Sequence, residues 1–211
     1  MSAGEVAVDL SPDRAEVWEA TGELVEATRR LMRHVSTSQA DPDRLRAAAA
    51  ALDAVTAELG EAGPRVLRVP FDEEAVRQVR AGRAWTMFRF NPMMVPLRMV
   101  VDGARGRAEL TPDSVHEGPP DLLHGGFAAH ILDAFLGSLV QAQGRPCYTA
   151  GLELAFRAPT LLDVPIVVEG EVAEPEGRKV RATAWISQRG QRTVEATGLF
   201  IQPATGSADI F

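Results

Sequence analysis

The stretch that decides the fold is His124-Gly125-Gly126-Phe127-Ala128-Ala129-His130-Ile131-Leu132-Asp133-Ala134-Phe135-Leu136-Gly137-Ser138-Leu139-Val140. Two glycines open a segment that is apolar on every side, and only His130, Asp133 and Ser138 interrupt it. A helix apolar all round is expected to be buried. A carboxylate in such a helix is costly unless it is paired or used. The Gly125-Gly126 pair stands where the helix would start. There the first backbone N–H groups lack intrahelical partners and carry partial positive charge. Amide donors able to hold a developing oxyanion, followed by a buried acid, point to acyl chemistry.

The residues around this helix predict an α+β fold. Upstream, Trp85 to Phe90, Leu97 to Val101 and Arg107 to Leu110 read as short strands, the last two joined as a hairpin around Asp102-Gly103. Downstream, Tyr148 to Arg157, Ile166 to Glu174, Arg178 to Gln188 and Arg192 to Ile201 read as four antiparallel strands. Glu176-Gly177 and Gly190-Gln191 are the expected turns. Strands on both sides of one buried helix make a sheet packed on that helix.

The first 63 residues have another character. Ser11-Pro12 and Asp41-Pro42 each pair an N-cap with a proline at the first helical position. Val17, Trp18, Thr21, Leu24 and Val25 open a helical periodicity in the first segment. Leu45, Ala48, Ala49, Leu52, Val55 and Leu59 continue it in the second. The organisation read from this is a helical hairpin over 1–63, whose apolar stripes must be laid on something. A connector follows over 64–83, with a short helix from Asp72 to Arg80, then the sheet domain over 84–202 and a tail over 203–211.

Charge and composition restrict the partners. The net charge of −7 over 211 residues argues against nucleic acid. So do the 11 acidic and 6 basic residues counted in 1–60. The start carries Glu5 and Asp9 and no basic segment, and the longest apolar run is too short for a bilayer. A lone cysteine, Cys147, permits no internal disulfide. These features predict a cytoplasmic protein without membrane or nucleic-acid partners. The histidines show no metal-ligand spacing, so no metal is expected.

These residues resemble the PaaI-like group of hotdog-fold thioesterases. The resemblance covers roughly residues 85–202. It rests on the His-Gly-Gly opening, an acid nine residues after His124, a hydroxyl sixteen residues further on, Asn91-Pro92, Glu117-Gly118-Pro119-Pro120, and Phe156-Arg157-Ala158-Pro159-Thr160. It implies a sheet wrapped round a central helix and acyl-CoA as substrate, with no separate cofactor. It further implies Asp133 as base or nucleophile, the N–H of Gly125 or Gly126 as oxyanion donor, and Thr149 as the strand hydroxyl. Many members carry an asparagine six residues before the histidine, where this chain has Gly118. His124 reads mainly as a residue that fixes the loop, and His130 as a core or interface histidine. Phe127, Ile131 and Phe135 are expected to line an acyl tunnel.

Geometry adds an expectation of its own. Gly126 and Asp133 lie two helical turns apart, roughly 10 Å along the axis. A reacting carbonyl must sit within about 3 Å of both. A homodimer, or a homotetramer built as a dimer of dimers, would bring the acid of one chain to the glycines of the other. Two competing readings stay open at this stage. One is an enoyl-thioester hydratase or dehydratase using His130 with Asp133. The other is a non-catalytic acyl-CoA-binding module.

Overall fold

The computed structural model describes residues 12–61, 85–86, 88, 90–145 and 147–203. The expected short helix from Asp72 to Arg80, the connector and the tail beyond 203 lie outside them. The described residues fall into two compact units, one holding the first two helices and one holding the sheet.

In the helical unit, α1 runs Pro12–Thr37 and α2 runs Pro42–Glu58. Asp41 caps α2 by accepting from the Arg44 amide at 2.9 Å, and Gly60 follows the helix at φ +77°. α1 buries Val25 and Arg29, and Arg29 donates to the Asn91 carbonyl at 2.7 Å. α2 buries nothing. Its apolar stripe, Leu45, Leu52 and Val55 with Leu59 just beyond the helix, is exposed.

The sheet unit comprises β1 (Trp85–Thr86), β2 (Arg98–Asp102), β3 (Arg105–Leu110), α3 (Gly125–Ala142), β4 (Tyr148–Phe156), β5 (Ile166–Val172), β6 (Lys179–Gln188) and β7 (Gln191–Ile201). The order across the sheet is β1-β2-β3-β5-β6-β7-β4, antiparallel throughout. After α3 the chain goes to the far edge to lay down β4, then returns to place β5 beside β3. The last turn is Arg189-Gly190, one residue earlier than expected, with φ of 52° and 79°. Both central residues at positive φ suit a two-residue hairpin whose twist matches the strands.

α3 lies in a trough of small residues on the inner face of the sheet. Gly106 and Gly170 are register partners on β3 and β5, and the tip of the Phe135 ring rests against both. A Cβ on Gly106 would meet Phe135 at 3.1 Å and Leu139 at 3.0 Å. One on Gly170 would meet the Thr183 carbonyl at 2.5 Å and Phe135 at 3.0 Å. Ala182, Ala184, Ala196 and Gly198 continue the trough across β6 and β7. Against it α3 buries Ala128, Ile131, Leu132, Phe135, Leu136, Leu139 and Val140. The opposite face, with His130, Asp133, Ala134, Gly137 and Ser138, is only half-buried within the chain. The helix is thus a sheet-facing helix with one face to spare rather than one enclosed on all sides. This is the hotdog arrangement.

Candidate active site

The approach to α3 is a tight loop held by backbone bonds. Asp113 caps a single 3-10 turn, Ser114–His116, and His116 Nδ1 accepts the Asp113 amide in return. The carbonyl of His116 accepts the His124 amide at 2.8 Å, and Glu117 bridges to Leu123. Within the loop Glu117 accepts the amide of Asp121, which sits at φ +62°. The loop is closed so tightly that a Cβ on Gly118 would lie 2.8 Å from His124 Cα and 3.0 Å from its Cβ. No asparagine side chain fits there without moving the helix start. The departure at Gly118 is thus built into the loop.

His124 is the N-cap of α3. Its Nδ1 accepts the Gly126 amide at 2.9 Å, and its carbonyl accepts from Phe127 and Ala128. The imidazole lies so close that a Cβ on Gly126 would meet Nδ1 at 2.9 Å, which explains the glycine. The Gly126 N–H is therefore spent inside the chain. The Gly125 N–H has no partner among the described residues. Of the two donors the sequence offers, the structure leaves Gly125 available.

Asp133 and Thr149 are brought together: the threonine hydroxyl donates to Asp133 Oδ1 at 2.9 Å. A β-bulge makes this possible. Thr149 is opposite Phe200 on β7, Gly151 is opposite Leu199, and the register shifts between them. Leu152, Leu154 and Phe156 then face Gly198, Ala196 and Val194 on the α3 side of the sheet. With strict alternation Thr149 would point away from the helix. The extra residue, Ala150, turns it back onto Asp133. The sequence reading places Thr149 beside Asp133 only through the family position, because alternation alone gives the wrong face.

Gly125 opens onto a groove of ≈ 380 Å³ lined by Pro119, Leu122, Leu123, Phe156, Arg157, Ala158 and Pro159. It is apolar apart from Arg157, whose Nε donates to Glu195 at 2.9 Å. Arg192 also donates to Glu195 and stacks on Trp185, and the two arginines hold the Glu195 carboxyl below its ordinary range. Phe127, Ile131 and Phe135 are expected from the sequence to line an acyl tunnel, and the structure places them otherwise. Ile131 and Phe135 are fully buried in the sheet trough, and Phe127 packs edge-on against His116 and His124. The apolar space begins at the end of β4 instead.

His130 is half-buried beside Phe88, and its buried Nε2 has no hydrogen-bond partner among the described residues. Burial lowers its pKa from the ordinary histidine value, against the pull of Asp133. Asp133 is bonded to Thr149 and not to His130, so the helix-internal pairing considered from the sequence is not the one formed. Cys147 is a buried free thiol, and burial raises its pKa. Among the described residues no group of histidine, cysteine and carboxylate side chains is clustered as a metal would need, and no helix is long and apolar enough to cross a membrane.

Along α3, Gly125 and Asp133 are eight residues apart, about 12 Å on the axis. Both cannot touch one carbonyl group from a single straight helix. Among the described residues no strand pairs with the other edge of β4, the one away from β7, and Thr149 to Gly151 are exposed along it.

No family model matches the chain. Acyl-coenzyme A thioesterase THEM4 of Bos taurus is 36% identical over 88 residues, 41% of this chain and 36% of that protein. Acyl-coenzyme A thioesterase THEM5 of Homo sapiens is 30% identical over 93 residues, 43% of this chain and 38% of that protein. The matched segment thus spans little more than a third of the length of these curated relatives. Among solved structures, a thioesterase superfamily protein superimposes with TM-score 0.71 at 24% identity, covering 86% of this chain and 94% of its own. The phenylacetic acid degradation-related protein of Ralstonia eutropha JMP134 gives TM-score 0.50 at 20% identity over 60% of this chain and 98% of its own. The chain has the hotdog fold, the fold that its resemblance to the PaaI-like group implied.

Proposed function

We propose that the chain is an acyl-CoA thioesterase, hydrolysing an acyl thioester to the free acid and coenzyme A at sites shared between two copies. One observation carries the reading: a Gly125 amide with no partner among the described residues opens an apolar groove, while the carboxylate that would act there is held by Thr149 about 12 Å away. Each half is useless to the other within one chain. Self-pairing of the exposed β4 edge about a two-fold axis would join the sheets of two copies. It would also bring each Asp133, through its β4 neighbour Thr149, toward the other chain's helix start. The curated relatives' names support the same chemistry.

In this reading the thioester carbonyl accepts the Gly125 N–H of one copy. Asp133 of the other takes a proton from water as the oxygen adds to the carbonyl carbon, or its carboxylate adds directly. The oxyanion so formed is held by the amide and the positive end of α3. Its collapse breaks the C–S bond. On the water route the thiolate recovers the proton from Asp133; on the direct route water then cleaves the acyl-aspartate anhydride. The Thr149 hydroxyl keeps the carboxylate aimed. The acyl-CoA is substrate, and the homodimer, alone or paired into a tetramer, is the working form. A buried, unpaired Cys147 fits the cytoplasm, the compartment this reading assigns.

The test is a hydrolysis panel of acyl-CoA esters with the wild type and Asp133→Ala. Thioester cleavage by the wild type, abolished in the variant while the fold persists, is expected. Mixing Asp133→Asn with Gly125→Pro chains tests the sharing: each heterodimer should recover one site of two. No recovery would overturn shared sites.

A further inference from the structure

We infer that α2 is an assembly arm that pairs antiparallel with α2 of a second copy of this chain. The helix is 17 residues long and buries none of them. Its apolar residues nevertheless keep a seven-residue spacing: Leu45, Leu52 and Leu59, with Ala48 and Val55 between them. The four large ones are exposed by 47%, 39%, 64% and 46% for Leu45, Leu52, Leu59 and Val55. That spacing is the seam of a two-helix coiled coil, in which the residues between the large ones are small or branched. A solvent-facing helix of this length is marginal alone, and a second helix on the seam is what such a stripe stabilises.

Charge selects the partner and the direction. Arg46 is already paired with Asp43 on the same helix, whereas Arg44 and Glu58 have no ion pair among the described residues. They lie near opposite ends of α2, on the same flank of the seam. In an antiparallel pair that sets Leu45 against Val55 and Ala48 against Leu52, Arg44 of each copy falls beside Glu58 of the other. The middle of that flank is Ala51 against Ala51, and of the other flank Ala49 against Ala49. Small residues at both let the helices approach closely. A parallel pair would stack like charges at the same level instead. Four apolar layers are few for free helices, so the arm adds to contacts that copies make elsewhere, where tethering raises the effective concentration.

Three readings on the 211-residue chain test this. Under mild oxidation Ala51→Cys and Ala49→Cys should each give a disulfide-linked dimer, and Ala47→Cys, on the outer side of α2, should not. Cys147 is buried, so the wild type should stay unlinked. In sedimentation, Arg44→Glu or Glu58→Arg alone should weaken association about tenfold, two pairs being turned into repulsions. The double variant should restore it. Acyl-CoA turnover per chain at saturating protein should stay unchanged throughout. Linking at 47 as readily as at 51, or a double variant no better than the singles, overturns the arm. A chain that links at 51 yet hydrolyses no thioester overturns only the proposed activity.

Discussion

α2 and α3 are almost the same length, 17 and 18 residues, and both begin with a capping side chain, yet they are helices for opposite reasons. α2 has a proline at its start, an Asp41 cap and a run of alanines from 47 to 51, and it is stable as far as local preference can make it. α3 contains Gly125, Gly126 and Gly137 and several bulky or branched residues, which local preference disfavours. It exists because the sheet trough takes seven of its side chains. Local preference thus makes a helix but leaves its face unassigned. Burial makes one whose every position is fixed, and fixed positions are what a catalytic carboxylate and an amide donor need.

The largest effect should come from removing what seats α3. Phe135→Ala leaves a void against Gly106 and Gly170 and is expected to cost about 3–5 kcal/mol of stability. Leu52→Ala in α2 should change the unfolding midpoint of dilute protein by less than about 0.5 kcal/mol. Denaturant titration of both variants checks the contrast. A large loss for Leu52→Ala would mean that α2 is seated within its own chain.

Next in size is the loss of a single N–H. His124 sits at φ −63° and ψ 133°, a conformation compatible with a following proline, and Gly125 is the first helical residue. Gly125→Pro therefore removes the donor and keeps the helix. Turnover should fall about 100- to 1,000-fold with little change in melting temperature. The matching change in α2, Asp41→Ala, removes a cap and should cost about 1 kcal/mol of helix stability with no change in turnover. Kinetics and melting of the two variants read the difference.

Deleting Ala150 should be milder in energy and more specific in kind. The bulge disappears, Thr149 turns to the outer face of β4, and the hydrogen bond to Asp133 is lost. A fall of roughly tenfold in turnover is expected, about the worth of one hydrogen bond to a charged group. Thr149→Val should match it. Equal activity in both variants would show that Asp133 needs no partner.

How much of this was legible in the sequence follows from the same physics. The turns and caps were readable because their residues act locally: Asp41 before Pro42, Gly103 and Gly177 at positive φ, and His124 as the residue that fixes the loop. The strand segments from β2 onward were readable from their patterns, whereas the strand read over Trp85 to Phe90 is seen only at Trp85–Thr86, with turns at 88 and 90. The place of β4 at the far edge was not, because pairing β3 with β5 is a long-range choice that no local pattern encodes. The bulge was hidden as well: Thr149-Ala150-Gly151 carries no large residue to mark which side faces the core. The tunnel failed for a related reason. Ile131 and Phe135 are the right residues to line a cavity, but Gly106 and Gly170, distant in sequence, let the helix settle so close that the Phe135 ring rests on the sheet. What the glycine pair does was only half readable, since His124 claims one of the two amides.

Gly137 is a smaller test of the spare face of α3. A Cβ there would meet nothing nearer than the Phe200 ring at 3.9 Å, so the chain itself gives no reason for a glycine. Gly137→Ala should raise stability by about 1 kcal/mol through helix preference. Thermal melting measures it. A loss instead would mean that another chain's backbone presses on that position, as it would where two copies of α3 meet.

The smallest effect concerns His130, on the same face. Burial holds its pKa below the ordinary value despite the pull of Asp133. The unfolded chain therefore takes up a proton near pH 6.5 that the folded chain resists. The contribution is present above that pH and is lost as pH falls toward the lowered value. His130→Gln should flatten the fall of melting temperature between pH 7 and 5. Asp133→Asn should steepen it, because the one group that favours the charged imidazole is gone. Variants in α2, which has no histidine, should leave the slope as it is. If Asp133→Asn flattens the slope, the carboxylate is not the neighbour that His130 feels, and the half-buried face is organised by something other than the pair three residues apart.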